Sequence, residues 1–168
     1  MKFKNNLISS GNTHKTIKLV MQHIYIPIEI KARELIPNLK LISEGIKKNI
    51  VFYLGSKKSI IRILKNKKLK SGIFFSKTFL TNSEVDEVLT KCEKYCVLDH
   101  EFGYAMTKKE IKERAKNLSK FILNDKISNI FLLNNEIKLS ILKVIPKIKK
   151  KIIVSGWPRY DLKKKDFK

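Results

Sequence analysis

The chain holds few of the residues that staple or interrupt a fold: 168 residues include two cysteines, six glycines, four prolines and one tryptophan. Cys92 and Cys96 alone make no disulfide framework, which fits a reducing cytoplasm. No apolar run exceeds seven residues, far short of the roughly 20 needed to span a bilayer. The opening MKFKNNLISSGNTHKTIKLV lacks the apolar centre of a secretory signal, so residues 1–21 are expected to be a disordered basic leader, and Met21 is an equally suitable start. No Gly-x-Gly-x-x-Gly is present, so neither NAD nor FAD is expected, and no cofactor is assigned.

Negative charge is also scarce, with 15 acidic against 37 basic residues and a net charge of +22. Such an excess attracts phosphate backbones and raises the reading of a stand-alone basic α/β module that binds nucleic acid or another anionic partner. The identity of the cations argues against it. Four of the 37 are arginine, leaving 33 lysines spread along almost every segment, whereas nucleic-acid readers concentrate arginine with stacking aromatics. Nucleic acid is therefore the weaker expectation. Solvated lysine faces, with some attraction to an anionic membrane surface, account for the charge more simply.

What is present is an alternation of short β-rich apolar runs and longer helical patterns, within a length and a 43% hydrophobic content that suit one core. The strands are expected at 23–30, 49–55, 72–75, 95–99, 128–134 and 151–156, with helices between them. Pro37 suits the first turn of the first helix, with Leu39, Ile42 and Ile46 as its inner stripe. Ser56 is the expected cap of the second, and Thr107 opens a long lysine-rich helix reaching about Leu123. The fold class is α/β, a Rossmann-like doubly wound, mostly parallel six-stranded sheet over residues 22–156, followed by a hinge at 157–168.

In such sheets ligands bind beyond the carboxyl ends of the strands, which sorts the polar residues. The first strand delivers Glu29, Lys31, Arg33 and Glu34, either a polar site or a salt-bridged helix entry. The fourth delivers Asp99, His100 and Glu101 with Gly103 for a tight turn; a carboxylate or imidazole there can act as a general base, or serve as an ordinary turn cap. Cys92, Cys96 and His100 recur at fours, but a helix end between them breaks any shared face, so buried thiols are expected and no metal site. After the sixth strand, Gly156, Arg159 and Asp161 form either a polar clamp or a structural turn.

Several stretches together carry a resemblance: IPIEIKAREL (26–35), GSK (55–57), GIFFSKT (72–78), LDHEFG (98–103) and KIIVSGWPRYDL (151–162). They resemble the amino-terminal half of bacterial surface-carbohydrate (polysaccharide) biosynthesis proteins, which are similar to GT-B glycosyltransferases and more distantly to wall-polymer glycerophosphotransferases. The likeness spans residues 23–162, and the Gly-x-Pro-Arg-x-Asp of Gly156, Pro158, Arg159 and Asp161 is its most distinctive part. It implies an acceptor-side domain whose hinge leads to a second, donor-binding domain for a nucleotide sugar. It further implies Glu101 as base beside Asp99 or His100, Arg33 and Lys77 orienting an acceptor, and no obligatory metal. The implied partner is a glycan or lipid-linked glycan, met in the cytoplasm or at the inner membrane face. The chain departs from the family in holding Asp99, His100 and Glu101 where a carboxylate pair is usual, and Trp157 where a smaller polar residue is usual.

Overall fold

The structure is a computed structural model that describes residues 22–66, 71–79, 82–99 and 106–157. Its elements run β1 (Gln22–Ile28), α1 (Lys31–Ile46), β2 (Ile50–Ser56), α2 (Lys57–Lys65), β3 (Ile73–Ser76), α3 (Asn82–Lys91) and β4 (Lys94–Leu98). They continue with α4 (Lys108–Asn117), α5 (Ser119–Ile122), β5 (Ile127–Leu132), α6 (Asn135–Leu142), a 3-10 turn (Pro146–Lys151) and β6 (Ile152–Val154). All six strands pair in parallel in the order β2-β1-β3-β4-β5-β6. This is the doubly wound α/β fold expected from the alternation of strands and helices.

The strand order fixes where the helices lie. From β1 the chain steps outward to β2, then turns and steps the other way through β3 to β6, so β1 and β3 flank the point where the winding reverses. Right-handed crossovers place the one outward helix, α1, on one face and the others on the opposite face. Side-chain alternation agrees. Tyr25, Phe74, Tyr95 and Val97 are fully buried in one cluster with Ile60 of α2, Val88 of α3, Ile111 and Ala115 of α4 and Ile141 of α6. On the other face α1 lies so close to β2 that a Cβ on Gly45 would stand 2.2 Å from Phe52 Cζ.

The face shared with α1 is therefore thinly covered among the described residues. Ile36, Leu39, Leu41 and Ile46 of α1 remain 42–61% exposed. This corrects the sequence-based stripe. The side chains turned inward are Glu34 and Gly45 rather than Leu39 and Ile46, and Pro37 sits at the seventh helical position rather than in the first turn. No side chain caps the start of α1; Glu34 instead reaches back to accept hydrogen bonds from the backbone N–H of Glu29 (2.9 Å) and Ile30 (3.2 Å), the residues that lead into the helix.

Elsewhere local chemistry set the helices as expected. Ser56 Oγ accepts from Ser59 N, and Thr107 and Glu110 form a reciprocal capping box. The long helix expected from Thr107 breaks at Leu118 into α4 and α5, while Ile111, Ala115 and Ile122 stay buried. Pro146 opens the 3-10 turn besides following a helix. With glycine scarce, other residues finish the helices. Asn49 takes the left-handed conformation (φ 58°) after α1, Lys126 Nζ donates to the carbonyls of Leu89 and Cys92 at the end of α3, and Lys151 Nζ donates to those of Ile122 and Asn124 after α5.

Candidate functional site

The exits of β1, β2 and β3 and the starts of α1, α2 and α3 meet at the crest of the sheet, and their charged side chains form a continuous alternating chain. Glu34, with 1% of its side chain exposed, accepts from Lys77 Nζ at 3.1 Å and lies 3.4 Å from Arg33 Nη2. Lys77 Nζ also stands 2.8 Å from Glu29 Oε2, whose other oxygen is 3.3 Å from Lys57 Nζ. Lys57 in turn reaches Glu84 of α3 at 2.9 Å. Three cations and three carboxylates thus balance across the winding reversal.

The electrostatics follow from these contacts. The hydrogen bond from Lys77 leads in holding the Glu29 carboxyl below the usual range, against a smaller upward push from burial. For Glu34, burial pushes upward most strongly, yet the N–H of Glu29 and the ammonium of Lys77 together outweigh it, and its carboxyl too lies below the usual range. Lys57 is raised, chiefly by its hydrogen bond to Glu84. These shifts keep Glu29, Glu34 and Lys57 charged at neutral pH.

The next residue along, Thr78, serves a second group on the other side of the crest. Arg114 of α4 donates through Nη2 to Thr78 Oγ1 at 3.3 Å and lies 3.7 Å from Asp99 Oδ2. Asp99 is fully buried, and its backbone N–H donates to Phe131 O. The β3 exit therefore joins two polar groups through adjacent residues: Lys77 towards α1 and Thr78 towards α4.

Beneath the first group lies a recess of about 210 Å³ between α1 and the thinly covered sheet face. Ile26, Phe75, Leu98 and Phe131 form its floor, Pro37, Asn38 and Leu41 its wall, and Glu34, Lys77 and Ser155 its mouth. The Phe75 and Phe131 rings are 6.0 Å apart, inclined at 58°.

Of the residues singled out from sequence, Glu29, Arg33, Glu34 and Lys77 are brought together, and Asp99 reaches the same rim but faces α4. Gly156, at φ 72° with no neighbour near its would-be Cβ, follows Ser155 at the exit of β6, and the Trp157 side chain is buried. His100, Glu101, Gly103, Arg159 and Asp161 lie outside the described residues. Sequence reasoning missed Glu84, Arg114, Thr78 and the recess itself; Lys57 was within reach, being the basic residue directly after the Ser56 cap. Cys92 and Cys96 are both free and buried, and burial pushes the Cys92 thiol up to about 11 and raises that of Cys96, so neither is a thiolate at neutral pH.

Among the described residues no group of three or more His, Cys, Asp or Glu is placed to hold a metal ion, and no helix is long and apolar enough to cross a membrane. No protein-family model, curated protein or solved structure matches the chain. The site must therefore be read from its chemistry. A balanced, mutually neutralised rim over an apolar floor is suited to holding an uncharged polar group by hydrogen bonds at the edge of a dry surface.

Proposed function

We propose that the chain is the acceptor-side domain of a GT-B-like glycosyltransferase of bacterial surface-polysaccharide assembly, working in the cytoplasm or at the inner membrane face. One observation supports this reading above the others: Glu29 after β1, Glu34 in the first turns of α1 and Lys77 after β3 converge at the winding reversal of a parallel sheet, directly over a recess. Acceptor hydroxyls meet carboxylate oxygens and lysine N–H groups there. Arg33 and Lys77, both engaged with Glu34, orient the acceptor through that shared carboxylate network rather than as bare cations.

In the proposed reaction Glu101, two positions after Asp99 in the sequence, takes the proton of an acceptor hydroxyl. The freed oxygen bonds to the anomeric carbon of the nucleotide sugar as its bond to phosphate oxygen breaks, and the nucleoside diphosphate leaves with the electron pair. Asp99, held beside Arg114, acts as a positioning residue for Glu101. Donor binding and leaving-group stabilisation belong to a second domain.

The test is binding by the whole chain, followed by amide chemical shifts, of neutral oligosaccharides and of a single-stranded RNA at about 150 mM salt. Saturable oligosaccharide shifts centred on Glu29, Lys77 and Ser155 support the acceptor reading. RNA binding that survives this salt, with no oligosaccharide response, overturns it in favour of the basic nucleic-acid module.

A further inference from the structure

We infer that the recess between α1 and the sheet binds the hydrocarbon part of an uncharged amphiphile, such as an alkyl or isoprenyl glycoside, whose polar head rests at the mouth. That the head is a sugar rests on the acceptor-domain reading; the hydrocarbon site does not.

The lining selects the ligand class. Ile26, Phe75, Leu98 and Phe131 offer no hydrogen bonds across the floor; on the wall Pro37 and Leu41 add none, and the amide of Asn38 is the one polar side chain there. Sugar hydroxyls pushed against the apolar floor would lose water that the single Asn38 amide cannot replace, so the recess disfavours a free glycan. Hydrocarbon gains there. A dry cavity of roughly 150 Å³ lined by such side chains accommodates a benzene ring. The 210 Å³ recess is therefore large enough for a short branched or six-carbon chain.

Charge selects the head. The chain carries +22 overall, yet at this mouth Arg33 and Lys77 are matched by Glu34 and Glu29. A site for a phosphate or carboxylate head would leave cations in excess, and lysine is abundant enough in this protein to have supplied them. A balanced mouth complements a neutral head that both donates and accepts hydrogen bonds, and Ser155 stands beside it to do the same.

Two leucines of α1 provide the matched variants. Leu41 is 42% exposed and lines the recess; Leu39 is 45% exposed and does not. Both positions accept a charge without burying it, so Leu41→Arg and Leu39→Arg should fold alike. Hexan-1-ol, hexyl β-glucoside and glucose are titrated calorimetrically into the whole chain and into each variant. Both hexyl probes should saturate, with Leu41→Arg weakening them by about tenfold or more and Leu39→Arg leaving them unchanged. Intermolecular NOEs from the hexyl chain to the Phe75 and Phe131 rings should accompany binding and need no variant. The inference is overturned if neither hexyl probe saturates, if both variants weaken binding equally, or if glucose binds as tightly as its hexyl glycoside. If hexan-1-ol meets all these expectations but the glycoside binds no tighter than the alcohol, the hydrocarbon site stands and the sugar-acceptor reading fails alone.

Discussion

Glu34 and Lys77 are 43 positions apart in sequence, and their Oε1 and Nζ atoms meet at 3.1 Å with 1% and 12% of their side chains exposed. The pair ties the start of α1 to the exit of β3 across the winding reversal. Removing one partner strands a charge in a place water barely reaches, which costs far more than the intact pair contributes.

Lys77→Met should therefore destabilise the protein by about 3 kcal/mol. Glu34→Gln loses the charge and one backbone acceptor. The double variant should be less damaged than the two single losses added together, a coupling that urea unfolding of all four proteins will measure. Strict additivity would show that the two side chains do not sense each other.

Acid should act through the same residues. Glu29 and Glu34 have folded-state pKa values below their unfolded ones, so their contribution is complete above the unfolded value of about 4.3 and is lost as pH falls through the lower folded values. Stability measured from pH 7 downward should hold level and then fall in the acid region. Lys77→Met should flatten that fall, since it removes a principal cause of both depressions; an unchanged acid slope would contradict the assignment.

Arg114→Leu should cost on the order of 3 kcal/mol, because it withdraws the guanidinium that lies 3.7 Å from the fully buried Asp99 carboxylate. Asp99→Asn in the Arg114→Leu background should recover part of the loss. Thermal unfolding of the two proteins decides the matter.

At Gly72 a Cβ would stand 2.3 Å from the backbone oxygen of His23, at the point where β3 comes alongside β1. Backbone cannot swing aside as a side-chain tip can. Gly72→Ala should cost about 1–3 kcal/mol, visible as a lower urea midpoint with an unchanged slope.

The sequence was most legible where one local signal sufficed. Each of the six apolar β-rich runs became a strand with its ends moved by a residue or two, and Ser56 and Thr107 capped as their types demand. The strand-end rule picked Glu29 and Glu34, and the family resemblance added Lys77. The rule failed where a decision lay between two stripes of one helix. In α1 the apolar spacing of Leu39, Ile42 and Ile46 pointed one way, but close approach to Phe52 demanded a residue without a side chain, and Gly45 turned inward instead. Arg114, Glu84 and the recess had no local signature. They exist because crossovers bring Arg114 of α4 to Thr78, Glu84 of α3 to Lys57, and α1 over strands that come much later in the chain.

Among the described residues helix α1 stands alone on its side of the sheet, with four large aliphatic side chains 42–61% exposed and a proline in its body that supplies no amide proton. It is expected to be the region that lets deuterium in first, opening as a unit well below the free energy that unfolds the multi-helix side. A guest lodged under Leu41 would then act as mortar, slowing isotope uptake along α1 while leaving α4 and α6 untouched. The protein thus keeps its most easily lifted wall beside the cavity where lifting gives access.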